Sequence, residues 1–311
     1  MHRSSFATLI VLAACARPVA SDSTSLQVAP ATHANVTAGP LPVAPSAPAT
    51  ARATPPPALA AIDFAAHGLQ DAGCFMLRDL TTGIEQVSSR ERCTQGRRPH
   101  STFKIVNALI GADLGLLTSA DTIMVWDRAR YPKQEEWFDG WDRDQPLRDA
   151  MRISAVPLFR KLASDIGPER MAAYLTKLDY GNRDMSGGND SFWLQGGMRI
   201  TAAQQLDLIS KLVRDELPVS KQAQAIVREV LKRDPVAGVP HAGKTGTGRV
   251  ERVGEPEHSG PMGGWLVGWI ELPRGPVAYA MWVEAPEYEV LRDLRLKTVD
   301  GVLGEVVRSW Q

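Results

Sequence analysis

Neither sign of charge predominates in this sequence: 35 lysines and arginines are offset by 35 aspartates and glutamates, for a formal net charge of zero. That balance leaves no electrostatic footprint for a phosphate backbone, and nothing in the spacing of Lys and Arg supplies one locally. Nucleic acid is therefore not an expected partner. No apolar run reaches the roughly twenty residues needed to cross a bilayer. Cysteine is scarce, three in 311 residues. Neither Cys74 nor Cys93 has histidines at zinc-ligand spacing, so no metal site is expected. Internal repeats are missing, and so is the strict strand–helix alternation of a parallel sheet. What is present is 44% apolar residues, enough to build one large domain or two smaller ones around a sizeable core.

The beginning of the chain carries a compartment signal. Met1-His2-Arg3 is short and basic, Phe6 to Ala14 is apolar but brief, and Leu12-Ala13-Ala14-Cys15 resembles a bacterial lipobox. Residues 1–15 are thus expected to be a lipoprotein-type signal peptide with Cys15 as the lipidated residue. Ala14-Cys15-Ala16 also fits ordinary signal-peptidase cleavage, and either route exports the protein to the periplasm. The lipid at Cys15 would be its sole membrane attachment, tethering it to the outer membrane. Residues 16–60, rich in Ala, Pro, Ser and Thr, bury too little apolar surface to offset their ordering entropy and read as a tether. Export leaves Cys74 and Cys93 as a pair in an oxidising compartment. A bridge is expected, the alternative being two buried free thiols.

Residues 61–311 read as the folded domain. Gly73 to Leu80 and Ile84 to Ser88 suit an antiparallel hairpin around Thr81-Thr82-Gly83. Ser101 to Leu117 changes to helical spacing, and the region from about 120 to 232 is mainly helical. Within it, Thr201 and Gln204 form a capping-box signature. After Lys244 the pattern becomes strand-like, with Trp265 to Leu272 and Val277 to Ala285 joined by Pro273-Arg274-Gly275-Pro276; Val290 to Val307 is helical again. The order predicts an α+β fold: an antiparallel sheet built from both chain ends, flanked by helices, with a mainly helical region inserted. A cleft between sheet and insert is the natural ligand site.

Two short motifs carry chemistry. Ser101-Thr102-Phe103-Lys104 places an amine about one helical turn from a hydroxyl at a helix start, where partial positive charge favours an oxyanion. A serine hydroxyl needs a base, and a desolvated lysine can provide one. Lys244-Thr245-Gly246 precedes the strand pair. Gly238 to Thr245 also spells the phosphate-loop pattern G-x-x-x-x-G-K-T, but that loop must follow a buried strand and open a helix. Val227 to Asp234 is charged and helical in spacing, and Thr247-Gly248-Arg249 runs into a turn, so a nucleotide is not expected. The alternative puts Lys244 on an edge strand opposite Ser101, its ammonium and the Thr245 hydroxyl aimed at a substrate carboxylate.

Between these motifs lie Ser154-Ala155-Val156, Tyr180-Gly181-Asn182 and Phe192-Trp193-Leu194-Gln195-Gly196. In this order, with Trp137-Phe138-Asp139-Gly140-Trp141, Leu147 to Met151 and the paired Trp265 and Trp269, the chain from about Cys74 onward resembles a class D serine β-lactamase of the oxacillinase type. Ser154-Ala155-Val156 stands where class A enzymes carry Ser-Asp-Asn. The resemblance implies a serine β-lactamase/transpeptidase-like fold and a small-molecule β-lactam substrate opened by Ser101. It also implies an oxyanion hole from the Ser101 and Thr247 amides, and a Lys104 carboxylated by CO2 as general base, with no bound organic cofactor. Trp193 would support the carbamate, and Ser154 would relay a proton between the lactam nitrogen and Lys244. Val156, Lys244, Thr245, Gly246, Thr247 and Arg292 would line the substrate site, with Arg295 the alternative to Arg292. Tyr180-Gly181-Asn182 would shape the cleft wall. The competing reading is a penicillin-binding or sensor domain that is acylated without turnover.

Overall fold

The computed structural model describes residues 59–69, 73–251 and 260–310. The signal peptide, Cys15 and nearly all of the tether lie outside the described residues. Residues 59 and 60 already belong to the fold: Leu59 packs on the core, and the Ala60 carbonyl accepts from Gln86 Nε2 at 2.7 Å and Trp310 Nε1 at 3.1 Å.

One six-stranded sheet organises residues 74–285. Its strands are β1 (Cys74–Asp79), β2 (Glu85–Val87), β5 (Lys232–Val236), β6 (Val239–Arg249), β7 (Met262–Leu272) and β8 (Gly275–Ala285), in the order β2-β1-β8-β7-β6-β5. Every neighbouring pair is antiparallel, and β1 beside β8 joins the two ends of the chain, as expected. The turn at Pro273-Arg274 is as short as an antiparallel hairpin permits, with Leu272 opposite Gly275. A two-stranded ribbon, β3 (Ile123–Met124) and β4 (Gln145–Pro146), stands apart from the sheet.

Helices cover both faces. α1 (Arg90–Cys93) follows the first hairpin and carries Cys93, which is disulfide-bonded to Cys74. A 3-10 turn (His100–Phe103) leads into α2 (Lys104–Asp113), and the insert continues through α3 (Leu147–Arg152), α4 (Val156–Ile166), α5 (Pro168–Lys177), α6 (Ala202–Val213) and α7 (Lys221–Val230). This side encloses the larger core, in which Phe103, Leu109, Phe159, Leu206 and Ile209 meet Val267, Ala280 and Trp282 of the sheet. On the opposite face α8 (Tyr288–Ser309) lays Leu291, Val299, Val302, Leu303 and Val306 against Phe75, Leu266, Tyr279 and Met281. Burial on both faces explains why β7 and β8 read as continuous apolar runs rather than alternating ones.

Two boundaries differ from the sequence reading. The helical spacing of Val227 to Asp234 breaks at Val230, and β5 follows with the charged, proline-containing sequence Lys-Arg-Asp-Pro-Val. Charge and proline suit a strand with only one neighbour, so composition conceals it. β6 is consequently not an edge strand along its whole length. β5 pairs with it from Val239 to Ala242, and the Gly243 amide donates to the Leu231 carbonyl at 2.8 Å. Beyond that point, the side of β6 away from β7 faces the 3-10 turn.

Candidate active site

The Ser-x-x-Lys segment spans the junction of the 3-10 turn and α2. Ser101 Oγ and Lys104 Nζ lie 2.6 Å apart. Ser101 is partly exposed, whereas Lys104 is wholly buried, with its amine 5.6 Å from the centre of the Phe159 ring. No carboxylate pairs with this amine among the described residues, so desolvation acts unopposed and lowers it to about 7 from its ordinary value. The turn is braced from behind. Thr102 Oγ1 donates to the Pro99 carbonyl at 2.8 Å and accepts from Gln205 Nε2 at 2.7 Å.

Ser154 stands in the link between α3 and α4 with φ of 61°, a left-handed conformation that costs a non-glycine residue about 1 kcal/mol or more. Its Oγ lies 3.0 Å from Lys244 Nζ. Lys244 itself is fully buried and reaches the cleft only through Ser154; its amine also donates to the Thr245 carbonyl at 3.0 Å. Burial, reinforced by the positive charges of Lys104, Arg233 and Arg295, holds its pKa well below the usual lysine value. Lys244 was expected to face a substrate carboxylate; its amine lies behind Ser154 and is not among the groups that line the cleft.

A cleft of about 410 Å³ opens over these groups. Ser101, Ser154, Val156, Thr245, Thr247 and Arg295 line it, together with Phe138, Asp139, Trp141, Arg152, Ile153, Leu194 and Tyr288. Gly246 contributes close packing instead of lining: a Cβ there would sit 2.7 Å from the Pro99 carbonyl oxygen. Arg292, expected to line the substrate site, lies apart from it. It is exposed and paired with its neighbour Asp293 at 2.9 Å, outside the cleft. Arg295, the alternative to it, lines the cleft instead, 5% exposed, with Nη1 donating to Thr247 Oγ1 at 2.8 Å. Burial lowers it only to about 10, so it remains a cation at neutral pH.

Trp193 is buried with its ring stacked 4.9 Å from Phe103, and its Nε1 donor has no hydrogen-bond partner among the described residues. A buried unpaired N–H is costly and calls for an acceptor. Tyr180 does not form the cleft wall; it lies buried behind the site with its ring 5.4 Å from Phe103, while Asn182 ties down the following segment through the Arg199 amide at 2.9 Å. Arg152 and Tyr288 were not singled out in the sequence because only the assembled fold brings them to one cleft.

Comparisons with known proteins agree with this arrangement. The penicillin binding protein transpeptidase domain family matches residues 73–295. The probable β-lactamase YbxI of Bacillus subtilis (strain 168) is 38% identical over 68% of this chain and 74% of its own. β-Lactamase OXA-10 of Pseudomonas aeruginosa is 36% identical over 67% and 74% respectively. Among solved structures, the class D β-lactamase FUS-1 (OXA-85) of Fusobacterium nucleatum subsp. polymorphum aligns with a TM-score of 0.68 at 29% identity, covering 78% of this chain and 96% of that one. A class D β-lactamase from Bacillus subtilis aligns with a TM-score of 0.62 at 33% identity, covering 74% and 91%. With its serine and buried lysine in contact beneath a cleft of this fold, the chain belongs to the class D β-lactamases.

Proposed function

We propose that this protein hydrolyses the β-lactam ring of penicillin-type antibiotics through an acyl-enzyme on Ser101, and so confers resistance to them. The observation that carries the reading is the 2.6 Å contact between Ser101 Oγ and an amine whose proton is loosened by burial. The serine O–H donates towards Lys104, and Oγ adds to the lactam carbonyl carbon. The C–N bond breaks, and its electron pair passes to the ring nitrogen. That nitrogen takes a proton through Ser154 from the Lys244 side, across the 3.0 Å contact. The proton that Lys104 took from Ser101 replaces the one given up on the Lys244 side. Water then adds to the ester carbon as its proton passes to Lys104. The ester C–O bond breaks with its electron pair on Oγ, Oγ takes that proton from Lys104, and the ring-opened acid leaves. The Ser101 and Thr247 amides face the oxyanion in both halves of the reaction.

Carboxylation of Lys104 by CO2 fits the residues present. It requires a neutral amine, which burial favours, and a carbamate oxygen would give Trp193 Nε1 the acceptor it lacks among the described residues. Lys104 would carry the carbamate and Trp193 would hold it; the group supplies a basic oxygen for proton transfer. Arg295 and the Thr245 and Thr247 hydroxyls are suited to the substrate carboxylate, and Phe138, Trp141, Leu194 and Tyr288 to its apolar side chain. Export by a signal at residues 1–15 with Cys15 lipidated would place this activity in the periplasm, ahead of the antibiotic's target. Cys15→Ala should release the protein from the membrane fraction.

Purified protein should turn over a chromogenic β-lactam many times per molecule. A single burst equal to the protein concentration, followed by no further hydrolysis, would identify instead a domain that is acylated and stalls. Ser101→Ala should abolish covalent labelling by penicillin.

A further inference from the structure

His100, immediately before the nucleophile, has φ of 48° and is 4% exposed. A left-handed backbone is unfavourable for a residue with a Cβ, and burying an imidazole adds to the cost. Its surroundings are cationic: Arg98, Arg199 and Lys104 join desolvation in lowering its pKa to about 3, so the ring is neutral at working pH. No step of the reaction above uses it.

The ring occupies a space that two glycines leave open. Lys244, Gly246 and Gly248 alternate onto the insert-facing side of β6, as the period of two in a strand dictates. A Cβ at Gly248 would lie 2.2 Å from His100 Cε1 and 2.5 Å from Nδ1. Directly across the ladder, Gly263 pairs with Gly248, and a Cβ there would lie 2.2 Å from Trp282 Cζ2. His100 in turn stacks on Trp282, with ring centres 6.5 Å apart and planes 12° from parallel. On the other side of Ser101, Gly246 abuts Pro99 and Thr102. Two contacts of the turn on β6 therefore bracket Ser101 on the turn and Thr247 on the strand, and the imidazole is the bulk of one of them. The His100 amide, donating to the Trp193 carbonyl at 3.0 Å, keeps the ring from backing away.

We propose that His100 is a positioning residue for the oxyanion site: its ring, wedged between the nucleophile turn and Gly248, sets the spacing of the Ser101 and Thr247 amides. The inference rests on the acyl-enzyme reading, which turnover of benzylpenicillin by the unsubstituted enzyme tests independently of any variant. His100→Ala should lower kcat by about tenfold or more, the scale expected when an oxyanion donor is displaced. KM should change by no more than about threefold, since the cleft wall is untouched. Affinity for phenylboronic acid, whose tetrahedral adduct occupies the oxyanion site, should fall in parallel. Gly248→Ala, which forces the ring and strand apart, should weaken boronate binding similarly. In the double variant His100→Ala/Gly248→Ala, the new methyl enters the vacated space and should restore part of both losses. If His100→Ala misfolds, His100→Asn, which tolerates the left-handed backbone but is smaller, provides the same comparison. Boronate binding unchanged in the His100 variants with only an earlier melting transition would overturn the proposal. Equal penalties for Gly248→Ala in both backgrounds would do so too.

Discussion

A lysine stripped of water becomes a different reagent, and residue 104 shows how burial brings this about. With the pKa brought down to about 7 by burial alone, a large share of the amine is neutral at physiological pH. The acid limb of kcat/KM against pH should rise through about 7, and added bicarbonate should raise activity on the alkaline side. Stability moves with it. Between about 7 and the ordinary 10.5 the unfolded chain binds more protons at this residue than the folded one, so the Lys104 contribution favours folding increasingly as pH rises through that window. Comparing denaturant midpoints of the parent and Lys104→Met at pH 7 and pH 9 checks this: the gap between the two proteins should shift in the parent's favour at the higher pH. The Ser101–Lys104 relation was legible because it is local, about one helical turn. The choice between Arg292 and Arg295 was not legible from register. Arg292 lies one heptad from Val299, only about 20° around the helix, so both arginines fall near the buried stripe of α8. The assembled fold alone shows that Arg295 reaches the cleft. Arg295→Ala should raise KM for penicillins about tenfold or more, as expected for loss of a charge-assisted contact, with Arg292→Ala near parental values in the same steady-state assay.

Elements were easiest to read where side chains declare their own boundaries. Thr201 and Gln204 satisfy each other's backbone donors at 3.1 and 3.0 Å, and α6 begins where that signature says. Thr201→Ala should lower stability by about 1 kcal/mol in denaturant unfolding while leaving kcat unchanged, because the cap lies outside the cleft. β5 was illegible for the opposite reason: a short strand with one neighbour is selected for charge and proline, not for apolar alternation. The resemblance between Gly238–Thr245 and a phosphate loop is settled by the same local context. Gly238 occupies a positive-φ turn between β5 and β6, and Lys244 lies inside a strand with no helix opening after it.

Across the whole domain, the long-range partnerships could be anticipated only through resemblance. The Ser154–Lys244 contact spans 90 positions, and the Trp265 Nε1 bond to the Arg98 carbonyl spans 167. No periodicity encodes such pairings. The Cys74–Cys93 bridge, closing a separation of 19 residues, ties β1 to the segment leading into the nucleophile turn. Its removal in Cys74→Ser/Cys93→Ser should cost about 3 kcal/mol by the loop-entropy scale, measured as a lower urea midpoint, with kcat per folded molecule retained.

The junction of β1 with β8 sets the order in which this protein can come to life. The hydroxyl and the amine leave the ribosome early, but β7, β8 and α8 emerge last, and until they arrive the first hairpin has no partner strand to close the sheet. Without that closure the Lys104 amine stays hydrated and protonated, and Lys244 is not held against Ser154. A nascent polypeptide is therefore chemically silent, and reactivity switches on only when β7, β8 and α8 have been delivered.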